Sequence, residues 1–181
     1  MTETQILYAR IASNLVALAM LGLSVGKRKR DGLTISSPFH VEIGRLLYFL
    51  LFLWAGCWNM YLANTNPEEY LTYAPLAYSA AYRNFILGYF ASHVTAIVGA
   101  IAVGQLSIAL LLAARGRAVQ AGLVGAIVFL LAIVPLGVGS GFPATVIMAA
   151  GAAMLMRARF PDPLWKALRP RQHGHAIVTV R

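Results

Sequence analysis

Three polar side chains near the ends of two apolar segments are the best candidates for ligand chemistry. Asn59 falls about one helical turn inside the end of one segment, and Tyr89 and His93 fall at a similar depth on the next. A neutral imidazole can donate a hydrogen bond to a quinone carbonyl or relay a proton near physiological pH. The three residues therefore predict a binding site for a quinone or a lipid head group. The alternative is that they only pack between helices.

Two further polar residues, Gln105 and Ser107, lie near the middle of an apolar segment. Polar side chains are costly in hydrocarbon unless they are paired, so each should face another helix or a cavity. We predict that both make interhelical polar contacts.

The sequence predicts no catalytic residue, no metal site and no firmly held cofactor, with quinone as the one candidate ligand. Glu68 and Glu69 are adjacent, so on a helix they point in different directions and cannot form a paired acid and base. His93 is the only histidine within a predicted span, and HExxH is absent. The lone Cys57 excludes an internal disulfide and a CxxC pair. We expect no self-contained enzymatic activity.

The composition places these residues in a membrane. The chain is 59% hydrophobic and 12% charged, and its mean hydropathy is +0.69, whereas soluble domains are about 45–50% apolar and about 25% charged. Apolar runs of about 18 residues are long enough to cross a bilayer as helices. The predicted fold class is all-α, a polytopic transmembrane helical bundle forming one integral membrane domain over 1–181. Its predicted spans are about 46–63, 85–114, 118–138 and 139–157.

Residues 6–26 predict a fifth, N-terminal helix. Arg10, Ser13 and Asn14 lie early in this stretch, and the rest is apolar. A helix lying at the membrane interface is the alternative. A signal peptide is disfavoured because no small-residue cleavage site follows and the basic run lies on the wrong side.

The basic residues predict the topology. The formal net charge of +9 comes mainly from runs at 27–30 and 115–117 and from the tail after Arg157, all flanking apolar segments. The positive-inside rule then gives a cytoplasmic loop 27–45, an outer loop 64–84 and a cytoplasmic interfacial tail 158–181. The predicted location is the inner cell membrane, with a cytoplasmic C-terminus and an outer N-terminus if the first helix spans. Nucleic-acid binding is disfavoured, since no basic stripe is interleaved with exposed aromatics.

The outer loop predicts a short surface helix. Pro67 followed by Glu68 and Glu69 matches a helix start, and Pro75 is expected to end the helix. The tyrosines in and around this loop predict either an interfacial aromatic belt or the rim of a pocket.

Several segments together resemble the DoxX-like group of small four-helix membrane proteins, over about Glu42 to Met156. They are GRLLYFLLFLWAG, a proline-containing outer segment, IVGAIAVGQLSIALLLAARGR and a glycine-rich hairpin ending in FP. Some members of that group are membrane subunits of quinone-linked sulfur oxidoreductases. The resemblance implies a quinone-proximal or accessory membrane subunit, and it assigns no site residue.

Three functions follow as hypotheses. The first is an accessory or anchoring subunit of a larger membrane complex, possessing glycine-rich helix faces for other subunits or for self-association. The second is a quinone- or lipid-binding oxidoreductase subunit in its own right. The third is a small-solute channel or carrier, for which Gln105 and Ser107 would form a thin lining. The lipid bilayer is the expected partner in all three.

Overall fold

The computed structural model describes residues 3–24, 39–136 and 141–169, and these ranges contain helices and no strand. The all-α prediction is confirmed for this part of the chain. A 3-10 helix covers Pro67–Leu76, and a single π-helical turn covers Ile86–Phe90. The α-helices are α1 (Glu3–Ser24), α2 (Phe39–Thr65), α3 (Ala80–Phe85), α4 (Ala91–Ala113), α5 (Arg117–Ala132), α6 (Ala144–Leu155) and α7 (Leu164–Ala167).

Three helical stretches are long and apolar enough to cross a membrane. They are Phe39–Thr65, Ala80–Ala113 and Arg117–Leu136, with 27, 34 and 20 residues. At about 1.5 Å per residue even the shortest reaches roughly the 30 Å of a bilayer core. Two further apolar helices, Ser13–Ser24 and Ala144–Leu155, are shorter. The membrane class thus has structural support from three helices, while a fourth and a fifth span stay predictions.

Five of the described helices, α1, α2, α4, α5 and α6, pack as a closed ring. α2 packs along α4, α4 along α5, α5 along α6, α6 along α1, and α1 against α2. Phe52 of α2 meets Phe129 of α5 edge-on at 5.6 Å between ring centroids. The buried core also includes Tyr48, Leu112, Leu123 and Leu155.

Gly56 allows α2 to lie close to Leu106 of α4. A Cβ atom at Gly56 would lie 2.8 Å from Leu106 Cγ and 3.1 Å from the Leu106 backbone nitrogen. Any larger residue would therefore force the Leu106 side chain or the two helices to shift.

Several predicted boundaries differ from the structure. α1 begins at Glu3 rather than at residue 6, and its described part ends at Ser24; α2 begins at Phe39 rather than at residue 46. The predicted cytoplasmic loop 27–45 overlaps the start of α2, which contains Arg45; its cytoplasmic location stays a prediction. α6 begins only at Ala144, directly after Pro143.

The helix within the predicted outer loop also departs from its prediction. Pro75 was expected to end it, yet the 3-10 helix continues to Leu76 and the Ala77 N–H donates to the Ala74 carbonyl at 3.3 Å. Proline is tolerated here because its fixed φ of about −65° suits a 3-10 turn.

Some predictions concern residues outside the described ranges. These are the basic run at 27–30, the glycine-rich turn at 137–140 and the tail from 170 to 181. They stay predictions.

Candidate functional site

The structure divides the predicted ligand-binding triplet between two places. Asn59 is half-buried between α2 and α4, where its Nδ2 donates to Gln105 Oε1 at 2.7 Å. Tyr89 and His93 are exposed and lie against each other, with ring centroids 4.5 Å apart and planes 26° apart. Binding of a quinone or lipid head group by these residues stays a prediction.

The Tyr89 and His93 rings extend a short aromatic stack. The Phe85 ring stacks on Tyr89 at 6.3 Å, one helical turn earlier. A flat apolar molecule could therefore lie against a continuous surface of rings, because offset-stacked aromatic pairs are favoured at such distances.

The His93 hydrogen bond fixes which imidazole nitrogen could react. Its Nδ1 lies 3.0 Å from the Tyr89 carbonyl oxygen, which can only accept, so Nδ1 must carry the proton. In the neutral ring the exposed Nε2 is then an acceptor. It could take a proton from a hydroquinone, whereas donation to a quinone carbonyl would require the imidazolium form.

The backbone is irregular where this stack lies. Residues 86–90 form the π-helical turn, and His93 has φ −132° and ψ 19°, outside the helical region. Such π turns occur often at functional sites, and these dihedrals fall near the sparsely allowed bridge region. Sequence reasoning missed this feature, since no residue pattern distinguishes a π turn from an α-helical one.

A chain of hydrogen bonds joins the 3-10 helix Pro67–Leu76 to the buried Gln105. The Tyr70 hydroxyl donates to Asn59 Oδ1 at 2.7 Å, and Asn59 in turn donates to the buried Gln105. Burial, with smaller contributions from Tyr73 and Glu69, raises the pKa of Tyr70 to about 12. The phenol therefore remains protonated, and able to donate, at neutral pH.

Of the two residues predicted to make interhelical polar contacts, Gln105 makes one and Ser107 bonds within its own helix. Gln105 pairs across the α2–α4 interface through Asn59, as described above. Ser107 is exposed, and its hydroxyl donates to the Val103 carbonyl of its own helix at 2.8 Å.

A buried arginine joins three segments at the opposite end of the bundle. Arg45 is 0% exposed. Its Nε donates to the Leu112 carbonyl at 2.7 Å, its Nη1 to Glu42 Oε2 at 3.0 Å and to the Asp162 carbonyl at 3.1 Å, and its Nη2 to the Ala114 carbonyl. Leu112 and Ala114 end α4, where unpaired carbonyls and the negative end of the helix dipole attract a cation. Arg45 thus holds the end of α4 and the segment after α6 against α2.

Backbone contacts reinforce the same junction. The Gly116 N–H donates to the Phe160 carbonyl at 2.7 Å, and Gln120 Nε2 donates to the Ala158 carbonyl at 3.1 Å. The Arg45 guanidinium carbon also lies 5.1 Å from the centroid of the Phe160 ring. In the sequence, only the spacing of Glu42 and Arg45, three residues apart, could have indicated the ion pair at this junction.

One face of α4 exposes small side chains. A Cβ atom built at Gly99 or Gly104 would meet nothing within 4 Å. Small residues at a spacing of four allow another helix to approach closely in a membrane. The exposed residues of this face are Thr95, Ala96, Ala100, Val103, Gly104 and Ser107.

Within 3–24, 39–136 and 141–169, no group of three or more His, Cys, Asp or Glu side chains is arranged to hold a metal ion. Cys57, Glu68 and Glu69 are all exposed.

No protein-family model matches the chain, and no curated protein and no solved structure is significantly similar to it. The DoxX-like resemblance therefore stays a prediction.

Proposed function

We propose that the protein is an accessory or anchoring subunit of a larger membrane complex, and that it binds a helix of another subunit through the small-residue face of α4. The observation that carries this proposal is the exposure of Ala96, Ala100 and Gly104 on a helix long and apolar enough to cross a membrane. Their spacing of four residues places them in one line along the helix.

Such a face suits a protein partner better than lipid. Lipid chains gain no more from contact with glycine than from contact with leucine, whereas a second helix gains van der Waals packing when backbones approach closely. Thr95 and Ser107 lie along the same face and are exposed. Their hydroxyls could hydrogen-bond to a neighbouring helix.

The test is to measure the size and the subunit composition of the particle that is extracted from the native membrane. We expect a particle in mild detergent or a solubilising polymer that contains a second protein in fixed stoichiometry. Gly104→Ile should release that protein, because the new side chain would separate the two backbones. Ala150→Ile, at an exposed alanine of α6, is the matched control and should retain it.

Two results would contradict the proposal. One is a wild-type particle that contains only this chain, as a single copy or as several. The other is a Gly104→Ile complex as intact as the Ala150→Ile complex.

The quinone- or lipid-binding oxidoreductase subunit is a second candidate, supported by the exposed stack of Tyr89 and His93. The two rings precede the small-residue face on the same helical stretch, so a quinone bound there would lie next to the partner subunit. Asn59 is already bonded to Gln105 and Tyr70, so we assign the head-group contact to Tyr89 and His93.

Quinone that co-purifies with the protein tests this candidate. Loss of the ring contact in His93→Ala should weaken quinone retention by about fivefold. Val128→Ala, an exposed change on α5, should leave retention unaltered. Equal retention in the two variants would refute the assignment.

The channel or carrier hypothesis gains no comparable support. Gln105 is buried against Asn59, whereas Ser107 faces outward from the bundle, so the two do not line a common path.

A further inference from the structure

The end of the bundle that contains Arg45 presents a surface of exposed cations. They come from the loop between α4 and α5 and from the segment after α6, and we call them the basic patch. The basic patch consists of Arg115, Arg117, Arg157, Arg159, Lys166 and Arg169.

The acidic residues described at this end do little to neutralise the patch. Glu42 is 4% exposed and bonds to the buried Arg45, so its charge is already compensated. Asp162 is half-buried. Among the described residues at this end, the six cations of the basic patch outnumber the one remaining carboxylate, that of Asp162, so the formal charge of these residues is positive.

The two basic segments are tied together rather than merely near each other. Arg45 donates both to Ala114, at the start of the α4–α5 loop, and to Asp162, in the segment after α6. The bond from Gly116 to Phe160 lies directly between Arg115 and Arg117 on one side and Arg159 on the other. Their backbones are thus held as one surface, so a ligand need not order two loops when it binds.

The position of the patch indicates what it would contact. The patch lies where the apolar helices α2, α4 and α5 begin or end, which is the level of the phosphate groups if these helices cross a bilayer. Trp165 is 58% exposed between Leu164, which is buried, and Lys166. Tryptophan is enriched at this level because its ring is apolar and its N–H prefers the head groups.

We propose that the basic patch binds the head groups of anionic phospholipids in the surrounding bilayer, with Arg115 and Arg117 acting together with Arg157 and Lys166. The positive charge of the patch complements the negative charge of these head groups. The hydrogen bonds of Arg45 hold the two segments of the patch in place before a lipid binds. The inference is independent of the proposed subunit role. The basic patch and the small-residue face of α4 share no residue.

The test is lipid binding by the purified full-length protein in neutral detergent. Native mass spectrometry would count bound phosphatidylglycerol and, separately, bound phosphatidylcholine. Each basic residue near an anionic surface contributes about fivefold to binding, so Arg115→Gln/Arg117→Gln should weaken phosphatidylglycerol binding about 25-fold. Arg83→Gln, at an exposed arginine of α3 near the other end of the bundle, is the matched control and should bind as the wild type does.

Two further measurements keep the proposal testable if the double variant folds poorly. Arg115→Lys/Arg117→Lys keeps both charges and should retain most of the binding. For the wild type, raising the ionic strength from about 0.05 M to about 0.5 M shortens the Debye length roughly threefold and should markedly weaken phosphatidylglycerol binding.

Three outcomes would overturn the proposal. They are equal affinity for phosphatidylglycerol and phosphatidylcholine, equal losses in the Arg115→Gln/Arg117→Gln and Arg83→Gln variants, and phosphatidylglycerol binding that does not respond to salt. An acidic partner protein that co-purifies on the patch and excludes lipid from it would also overturn the proposal.

Discussion

At the residue scale, Arg45 shows how a charge can be placed inside an apolar bundle. Its side chain is fully buried, and its donors meet one carboxylate and three backbone carbonyls. A buried ion pair need not stabilise a protein more than an apolar pair would. Removing one partner is nonetheless strongly destabilising, because the other charge is left uncompensated.

We therefore predict that Arg45→Met lowers the free energy of unfolding by about 3–5 kcal/mol. The measurement is reversible unfolding of the purified protein in mixed micelles. The control is Arg117→Gln, at an exposed arginine at the start of α5. It should change the free energy of unfolding by less than about 0.5 kcal/mol. Glu42→Gln/Arg45→Met should recover part of the loss, since it also removes the charge that Arg45 pairs with in the wild type. A wild-type unfolding midpoint in Arg45→Met would contradict this role.

Tyr70 gives a pH prediction. Its phenol has a pKa of about 12 in the folded protein against an ordinary value of 10.0, mainly because it is buried. Between these values the unfolded chain releases the proton and the folded chain keeps it, so stability is complete below about pH 10 and falls as the pH rises toward 12. Tyr70→Phe should lose less stability over this window than the wild type.

Unfolding midpoints measured from about pH 9 to about pH 12 test the Tyr70 prediction. Tyr61→Phe removes an exposed tyrosine hydroxyl and should follow the wild-type curve. If Tyr70→Phe also follows the wild-type curve, the Tyr70 phenol does not carry the effect.

The polar residues were foreseeable from sequence to different degrees. Gln105 and Asn59 stand out as amides in apolar runs, and the cost of burying them alone predicts that each finds a partner. Arg45 was not foreseeable as a buried residue, because a cation at the edge of an apolar run resembles an ordinary flanking charge. Its burial depends on the end of α4 and the segment after α6 meeting at one point.

At the element scale, the contact of α2 with α4 depends on the absence of a Cβ atom at Gly56. Gly56→Ala should destabilise the protein by about 1–3 kcal/mol, because the new methyl group would overlap Leu106. Gly99→Ala is the matched control, since a Cβ atom there meets nothing within 4 Å and alanine favours a helix by about 0.5–1 kcal/mol. Unfolding of both variants in the same micelles compares them directly. A Gly56→Ala protein as stable as Gly99→Ala would show that the helices separate at no cost.

Helix existence was easier to predict than helix detail. The length of the apolar runs suffices for the three long stretches, because a bilayer sets a minimum length. It does not reveal the π turn at 86–90 or the non-helical dihedrals of His93. Within the predicted span 139–157, the helix α6 begins only at Ala144, after Pro143.

At the scale of the whole molecule, the ring of helices brings the basic segments to one end. Contacts of Arg45, Gly116 and Gln120 join the α4–α5 loop to the segment after α6. The positive-inside rule predicts that this end faces the cytoplasm. Glu68 and Glu69 lie in the 3-10 helix between α2 and α3, which a membrane-crossing α2 would carry to the other side.

The most direct test of this account is the labelling of single cysteines with a membrane-impermeant maleimide. In a Cys57→Ser background, the exposed positions Glu68, Arg117 and Lys166 would each be changed to cysteine. We predict that Glu68→Cys is labelled in intact cells, and that Arg117→Cys and Lys166→Cys are labelled only after the membrane is opened. Labelling of Arg117→Cys and Lys166→Cys from opposite sides, or of all three from one side, would contradict a bundle whose helices cross the bilayer.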